Sequence, residues 1–576
     1  MQNEHFIAGK DASLEHSIRT MQAGLARIGF DIEECSWLNP VDNVWSVHIR
    51  NRACPLMFTN GKGATRLAAH ASALGEYFER LSCNYFWNHY YLGEAVANAP
   101  FAHYPRERWF PVDGTDWPAA LLTPELQSFY NPDASIPAEA LIDMNTGHYE
   151  RGICAIPYVR QRDGAEVFFP VNLISNLYVS NGMSAGNTPA EARAQALSEI
   201  LERHVKFKVI AEGMCLPEVP EEVIARYPAI AAGIAGLRTA GFGILVKDAS
   251  LGGRFPVMCV TLLHPEDQGI FASFGAHPRF EIALERALTE LLQGRALDAL
   301  AGFPPPGLDL EEVASAPNIE IHFVDSSGVV HWRFLHETPD FDFCDWQFSD
   351  STASDYQWLC DAIHAEGHDI YIADFDHLGV YACRTLVPGM SEIYPVDDLE
   401  WENNSQGAVV RPAILNLAEL DDAQCEELLA ILNEMNLADE KPVAALIGLA
   451  PDAGSLWADL RVGELKTQLA LAIGDTDAAL EGCEWIRQFE QVDALRRRVY
   501  RCIATLLELD DPNAYEAALV SLYGDDTLDL ATDLIDGELR FFGLPSPGPD
   551  LEGCVLHGQL LAEYEKVQVL KAGASA

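Results

Sequence analysis

Two acids and a base recur in this chain at one spacing, and together they could hold a metal. Residues Gly63–Arg80 read GATRLAAHASALGEYFER and Gly186–Arg203 read GNTPAEARAQALSEILER. Aligned without a gap, 9 of the 18 positions are identical, including the ending A-L-x-E-x-x-E-R. A third, weaker copy, Ala283–Gln293 (ALERALTELLQ), keeps A-L-x-E and has Gln293 where the others have their last Glu. Residues three or four apart share a helix face. Ser72, Glu76 and Glu79 therefore line one face. Gln195, Glu199 and Glu202 line the second, with Glu191 two turns upstream, and Arg286, Glu290 and Gln293 line the third. The remainder of each helix is apolar, which predicts burial. A buried carboxylate without a partner is costly, so these acids require cations. One ExxER alone reads better as a solvated face with a local Glu–Arg pair. Three copies on apolar helices point instead to one composite polar site.

Hard oxygen ligands with no His or Cys nearby favour Mg²⁺ over zinc. Five acids (Glu76, Glu79, Glu199, Glu202 and Glu290) exceed the needs of one ion, so two are expected. Mg²⁺ is commonly shared between carboxylates and substrate phosphates. A nucleoside triphosphate reaching such a cluster needs the metals, Arg203 and Arg286 to bridge the two negative sets. No G-x-x-x-x-G-K-[ST] loop occurs. Gly61-Lys62-Gly63, ahead of the first repeat, reads either as backbone amides presented to phosphate or as a flexible turn.

These helices need elements to hold them. A first helix is expected over Asp11–Gly29, with Leu14, Ile18, Met21 and Leu25 on one face. Strands are expected near Trp45–Ile49, Gly152–Val159, Val167–Val171, Leu173–Val179, Gly243–Lys247, Pro256–Leu263, Ile319–Phe323, Ile370–Ala373 and Val380–Val387. Thr188 and Pro189 read as N-cap and first residue of the second repeated helix. This mixture predicts an α+β unit over residues 1–405. From about Arg411 the chain is helix-patterned and acidic, with paired segments that predict an all-α, tetratricopeptide-like unit over 406–576. That unit would serve dimerisation or partner docking, or simply cap the first.

Composition excludes several classes. The 576 residues carry a formal net charge of −48, which opposes general nucleic-acid binding. No run has the length and apolarity of a membrane span, and the start lacks a basic-then-apolar signal. The 13 cysteines never lie closer than Cys344 and Cys360, so no CxxC motif exists and reduced thiols in a cytoplasmic protein are expected. Gly182–Gly186 (GMSAG) matches the hydrolase pattern G-x-S-x-G, but Thr188-Pro189 starts the helix too late for a tight elbow. His364 and His368 are four apart but lack the Glu of a zinc helix. Glu281 and Glu285 are expected at the surface or in salt bridges.

The repeated G-x-T…ALxExxER segments, ALERALTELLQGR (Ala283–Arg295) and the opening GKDASLEHSI resemble the YcaO family. The resemblance implies ATP bound with two Mg²⁺ ions. Glu76, Glu79, Glu199, Glu202 and Glu290 would be metal ligands, and Lys10, Ser17, Ser72, Asn187, Glu191, Arg203 and Arg286 would contact nucleotide. A basic residue expected just after Ser17 stands at Arg19 here, in uncertain register. The implied chemistry phosphorylates a peptide-bond oxygen, turning a poor leaving group into a good one, with Glu199, Glu202, Arg203 and Arg286 at the reacting phosphate. The Pro-rich ending of azoline-forming relatives is missing from VQVLKAGASA. The resemblance thus implies an accessory factor in methylthiolation of a small-subunit ribosomal protein, acting as a homodimer with a methylthiotransferase or that ribosomal protein as partner. Two alternatives stand: a non-catalytic ATP-binding regulator of a methylthiotransferase, and a metal-dependent phosphohydrolase.

Overall fold

The structure, a computed structural model, describes residues 4–397, 399, 403–489, 492–548, 551 and 553–574. Helix α1 (Leu14–Ile28) starts where the Ser13 hydroxyl accepts the His16 amide, and it stops at Gly29, whose φ of 85° makes the left-handed turn. Strands β1 (Ile32–Val41), β2 (Val44–Asn51) and β3 (Phe58–Gly63) form an antiparallel sheet in that order, and β3 runs into α2 (Arg66–Ser82). A second sheet has the order β4-β5-β11-β12-β7, from β4 (Arg108–Phe110), β5 (Ile153–Arg160), β7 (Met183–Gly186), β11 (Tyr371–Phe375) and β12 (Tyr381–Leu386), with β6 (Glu166–Pro170) on β5. Strand β7 runs into α3 (Pro189–Ala211), with Thr188 as its side-chain cap. Strands β8 (Gly243–Asp248), β9 (Val257–Leu263) and β10 (Ile270–Ala276) form the third sheet, and β10 leads into α4 (Phe280–Leu291).

Alternation along β9 and β10 explains how that third sheet is covered on both faces. Val257, Cys259, Ile270, Ala272 and Phe274 pack with Leu197, Ile200 and Leu201 of α3. Met258, Val260, Leu262 and Phe271 pack with Leu284 and Leu288 of α4.

The repeat extends into the strands, beyond the matched helices. Thr59 donates its hydroxyl to the Ala73 carbonyl at 2.9 Å, and Ser273, at the equivalent place in the third unit, donates to the equivalent Ala287 carbonyl at 2.9 Å. Gly61 and Gly275 are also equivalent. A Cβ there would lie 2.1 Å from the Ala69 oxygen and 2.6 Å from the Ala283 oxygen. Glycine is needed because strand and helix backbones touch.

Two expected strands are helical. Ile319–Phe323 lies inside α5 (Ala316–Val324), which Ser315 and Pro317 start. Leu173–Val179 forms helical turns, Val171–Leu173 and Ile174–Tyr178, with Asn176 donating to the Asn172 oxygen at 2.8 Å. Periodicity cannot separate the buried Leu173–Val179 run from a strand, and Ile319-Glu320-Ile321-His322-Phe323 alternates apolar and polar residues as a strand does. Further on, α6 (Thr352–Ala365) packs on α3.

From Arg411 the described residues hold helices and no strand. Among them are α7 (Asp422–Glu434), α8 (Val462–Ile473), α9 (Thr476–Gln488), α10 (Ala494–Glu508) and α11 (Asp525–Ile535), with α8 packed on α9 and α9 on α10. The last helix, α12 (Val555–Ala574), returns to the first sheet. Its Leu560, Tyr564 and Val567 share a core with Ile18, Leu25, Tyr77 and Phe78. Among the described residues, no helix is long and apolar enough to cross a membrane.

Candidate functional site

Between α1, α2, α3 and α4 lies a cavity of about 1200 Å³. The segment before α1 and the turn after α5 complete its wall. All twelve residues singled out from the sequence line it: Lys10 and Ser17 from the N-terminal segment and α1, Ser72, Glu76 and Glu79 from α2, Asn187 ahead of α3, Glu191, Glu199, Glu202 and Arg203 from α3, and Arg286 and Glu290 from α4. The repeats explain this placement. Each repeated helix follows a strand directly, and the equivalent faces line one cavity.

One end of the cavity is a tight polar knot. Glu191 is 3% exposed and accepts from the Asp11 amide at 2.9 Å and from the Asn187 amide group at 2.9 and 3.1 Å, with Lys10 Nζ at 3.3 Å. Ser17 donates to Asn187 Oδ1 at 2.8 Å. Asp11, which sequence reasoning passed over, also accepts from Thr352 at 2.7 Å and from the Thr188 hydroxyl. It ties the segment carrying Lys10 to the starts of α3 and α6. Arg19 points away, 3.8 Å from Glu4, while its neighbour Thr20 lines the cavity.

In the middle, four of the five repeated acids each hold a base. Glu76 pairs with Arg80 at 2.6 Å, Glu199 with Arg203 at 2.6 Å, Glu202 with Arg286 at 3.3 Å, and Glu290 with Lys62. Glu202 also accepts the Ala276 amide at 3.1 Å, and Arg286 reaches Gln195 Oε1 at 2.9 Å. Arg203 donates to Asn181 at 3.0 Å and lies 4.9 Å over the Phe323 ring. Glu79 forms no ion pair or side-chain hydrogen bond among the described residues. Burial pushes its carboxyl well above the usual range, and the charges of Glu199 and Glu76 push the same way. Burial also raises Glu199, opposed by Arg203.

This arrangement fits a hard cation. Carboxylates from three helices line the cavity with Glu79, which has no base paired to it and only the charges of Arg80 and Arg203, themselves paired elsewhere, in its favour. A carboxylate so placed favours a cation. Among the described residues no three acidic, His or Cys side chains already close on a single metal-sized point. The carboxylates are turned onto bases instead.

Lys62 is the residue that sequence reasoning reached without recognising. It was named only within Gly61-Lys62-Gly63, as a phosphate-presenting loop or a turn. The segment is the end of β3, with Gly61 and Gly63 held against α2 and Lys62 facing the cavity. Glu281, expected at the surface or in a salt bridge, is exposed at the cavity, while Glu285 is half-buried there and burial raises its carboxyl. Ser184, the centre of G-x-S-x-G, occupies the position equivalent to Gly61 and Gly275. It is fully buried and its hydroxyl has no partner, so it lacks the adjacent base that a nucleophile needs. His364 sits on α6 while His368 lies beyond its end and donates from Nδ1 to the Pro388 carbonyl, 2.9 Å away. They do not form a metal pair.

Comparison with known proteins gives concordant results. Residues 60–391 match the family model described as YcaO cyclodehydratase, ATP- and Mg²⁺-binding, and residues 407–573 match the YcaO cyclodehydratase C-terminal domain. The chain is 50% identical over 577 residues to the ribosomal protein S12 methylthiotransferase accessory factor YcaO of Escherichia coli K12, covering 98% of both chains. It is 47% identical over 582 residues to an uncharacterized protein of Haemophilus influenzae, covering 99% of both. The solved YcaO of Methanopyrus kandleri, bound with AMPPCP and Mg²⁺, is 19% identical, with a TM-score of 0.41 over 68% of this chain and 96% of that one. The chain belongs to the YcaO family, with the mixed α/β fold of that family followed by an all-helical region.

Proposed function

We propose that this YcaO-family chain binds ATP through magnesium in the cavity between its repeated helices. There it activates an amide or related carbonyl oxygen by phosphorylation, as an accessory factor in methylthiolation of a small-subunit ribosomal protein. The observation that carries this reading is the convergence of Glu76, Glu79, Glu199, Glu202 and Glu290 on one cavity. The family description, ATP- and Mg²⁺-binding, supports the ligands, and the 50% identical S12 methylthiotransferase accessory factor supports the partner.

In this reading Lys10, Ser17, Ser72, Asn187 and Glu191 orient the nucleotide, and the five repeated acids hold two magnesium ions. Bound magnesium would neutralise phosphate oxygens. Arg203 and Arg286 line the same cavity, where their guanidinium groups would steady charge on the phosphoryl group in flight. The organisation as residues 1–405 and 406–576, a tetratricopeptide-like tail, a homodimer and a cytoplasmic location belong to the same proposal.

The test is ATP turnover by the purified chain, alone and with the methylthiotransferase. Glu199→Ala should lower it about a thousandfold, as loss of one group stabilising the transferred phosphate does. Turnover that survives the change sinks the reading.

A second reading is favoured by one observation. No described residue beyond Tyr381 lines the cavity, and α12 packs behind α1 and α2. ATP would then order the cavity while the tail docks a methylthiotransferase. Stimulated methylthiolation without ATP hydrolysis would select this reading.

A further inference from the structure

Lys62 stands apart from the other cavity bases. Arg80 and Arg203 each pair with an acid one turn away on their own helix. Lys62 reaches instead from the end of β3, in the first unit, to Glu290 on α4, in the third. The equivalent strand positions in the other two units are Ala185 and Ala276, so this base is present in one unit of the three. Its side chain is 19% exposed. Burial and the Arg286 charge act to discharge it, while the charges of Glu202, Glu76 and Glu199 hold the proton on. Those three acids and Glu290 are four of the five proposed magnesium ligands. An ammonium is a compact point charge on a flexible stem, unlike a planar guanidinium. It is the side chain best suited to stand where a small metal ion stands and then to leave.

We propose that Lys62 is a built-in counter-ion: its ammonium occupies part of the carboxylate cluster when magnesium is absent, and magnesium must displace it from Glu290 to bind. This rests on the magnesium reading given above. It assigns to Lys62 a role separate from phosphate contact. The lysine keeps the cluster assembled without metal and weakens metal binding by competing for Glu290. It also couples the first unit to the third, because the same contact bridges β3 and α4.

The experiment uses the full chain and follows thermal unfolding while magnesium is titrated at a fixed concentration of AMPPCP. Lys62→Met keeps the length of the side chain and removes its charge. In EDTA this variant should melt below the wild type, since Glu290 loses its partner. The magnesium concentration giving half of the melting shift should fall about tenfold, as expected if Lys62 leaves Glu290 free about one-tenth of the time. Lys62→Arg, which keeps the pair, should need as much magnesium as the wild type or more. An unchanged or increased magnesium requirement in Lys62→Met overturns the proposal, as does a lowered one in Lys62→Arg. A lysine with a merely structural role would lower melting equally with and without magnesium, which also overturns it. Should Lys62→Met fail to fold, Lys62→Gln is read in the same way. A wild type whose melting never responds to magnesium with AMPPCP overturns the functional reading itself, a result distinct from these.

Discussion

Glu79 in the cavity and Glu464 in the helical tail are both carboxylates enclosed by protein, yet their surroundings differ. Glu464, on α8, is fully buried. It accepts from Arg496 at 3.0 and 3.3 Å and from Tyr500 at 3.0 Å, with Gln468 at 3.5 Å. Burial raises its carboxyl and Arg496 opposes the shift. Glu79 faces an open cavity with two other acids beside it and no side chain donating to it. A satisfied buried charge specifies architecture and adds little net stability. An unsatisfied one facing an open cavity is what the proposed magnesium site would require. Satisfaction of its bonds, more than burial, separates the structural acid from the site acid.

Substituting the two acids in parallel tests this contrast directly. The larger of these two effects is expected from Glu79→Gln, which should lower ATP turnover about a hundredfold. Its melting temperature in EDTA should hold or rise, because like-charge repulsion is relieved. Equal losses of stability and turnover would erase the contrast. Glu464→Gln should do the reverse. Turnover per folded molecule stays, while unfolding free energy in denaturant falls by about 3 kcal/mol, because Arg496 is left buried without its partner. A joint Glu464→Met, Arg496→Met variant should recover much of that loss, and a double-mutant cycle would read the coupling.

A buried ammonium extends the comparison to the junction of the two regions. Lys571 on α12 donates to the Asn84 side chain and to the His103 carbonyl at 3.0 Å. Burial draws its pKa down to about 7, against Glu107 and Cys83, which raise it. The unfolded chain therefore binds this proton up to the ordinary lysine range while the folded chain has released it. Folding stability should rise from about pH 7 to pH 9, by up to about 1.4 kcal/mol per pH unit from this group. Lys571→Met should flatten that slope in denaturant melts at a series of pH values. The smallest effect belongs to Ser184→Ala. Removing a buried hydroxyl that has no partner should raise stability by about 1 kcal/mol and leave turnover intact. A large loss of turnover would return Ser184 to the chemistry.

Much of the site was legible because helices write their faces into the sequence. The matched spacing of Glu76/Glu79, Glu199/Glu202 and Glu290 identifies equivalent faces without any coordinates. Thr188-Pro189 marks a helix start for the same local reason. Leu173–Val179 was misread because burial on nearly all sides hides the period, and Ile319–Phe323 because Ile319, Ile321 and Phe323 alternate with Glu320 and His322 as a strand does. Asp11 and Lys62 were missed as site residues because each acts across long stretches of chain, from Asp11 to Thr352 and from Lys62 to Glu290.

By itself, then, the sequence determined that acids recur on apolar helices and that a mixed region precedes an acidic helical one, and it set the expectation of a metal-bridged phosphate among those acids. Tertiary structure decided which base each acid holds, that Glu79 holds none, and that α12 closes the core behind α1 and α2. The reason is physical. Periodicity is a property of neighbours along the chain, whereas pairing of charges depends on the distances that packing sets between strands and helices far apart in sequence.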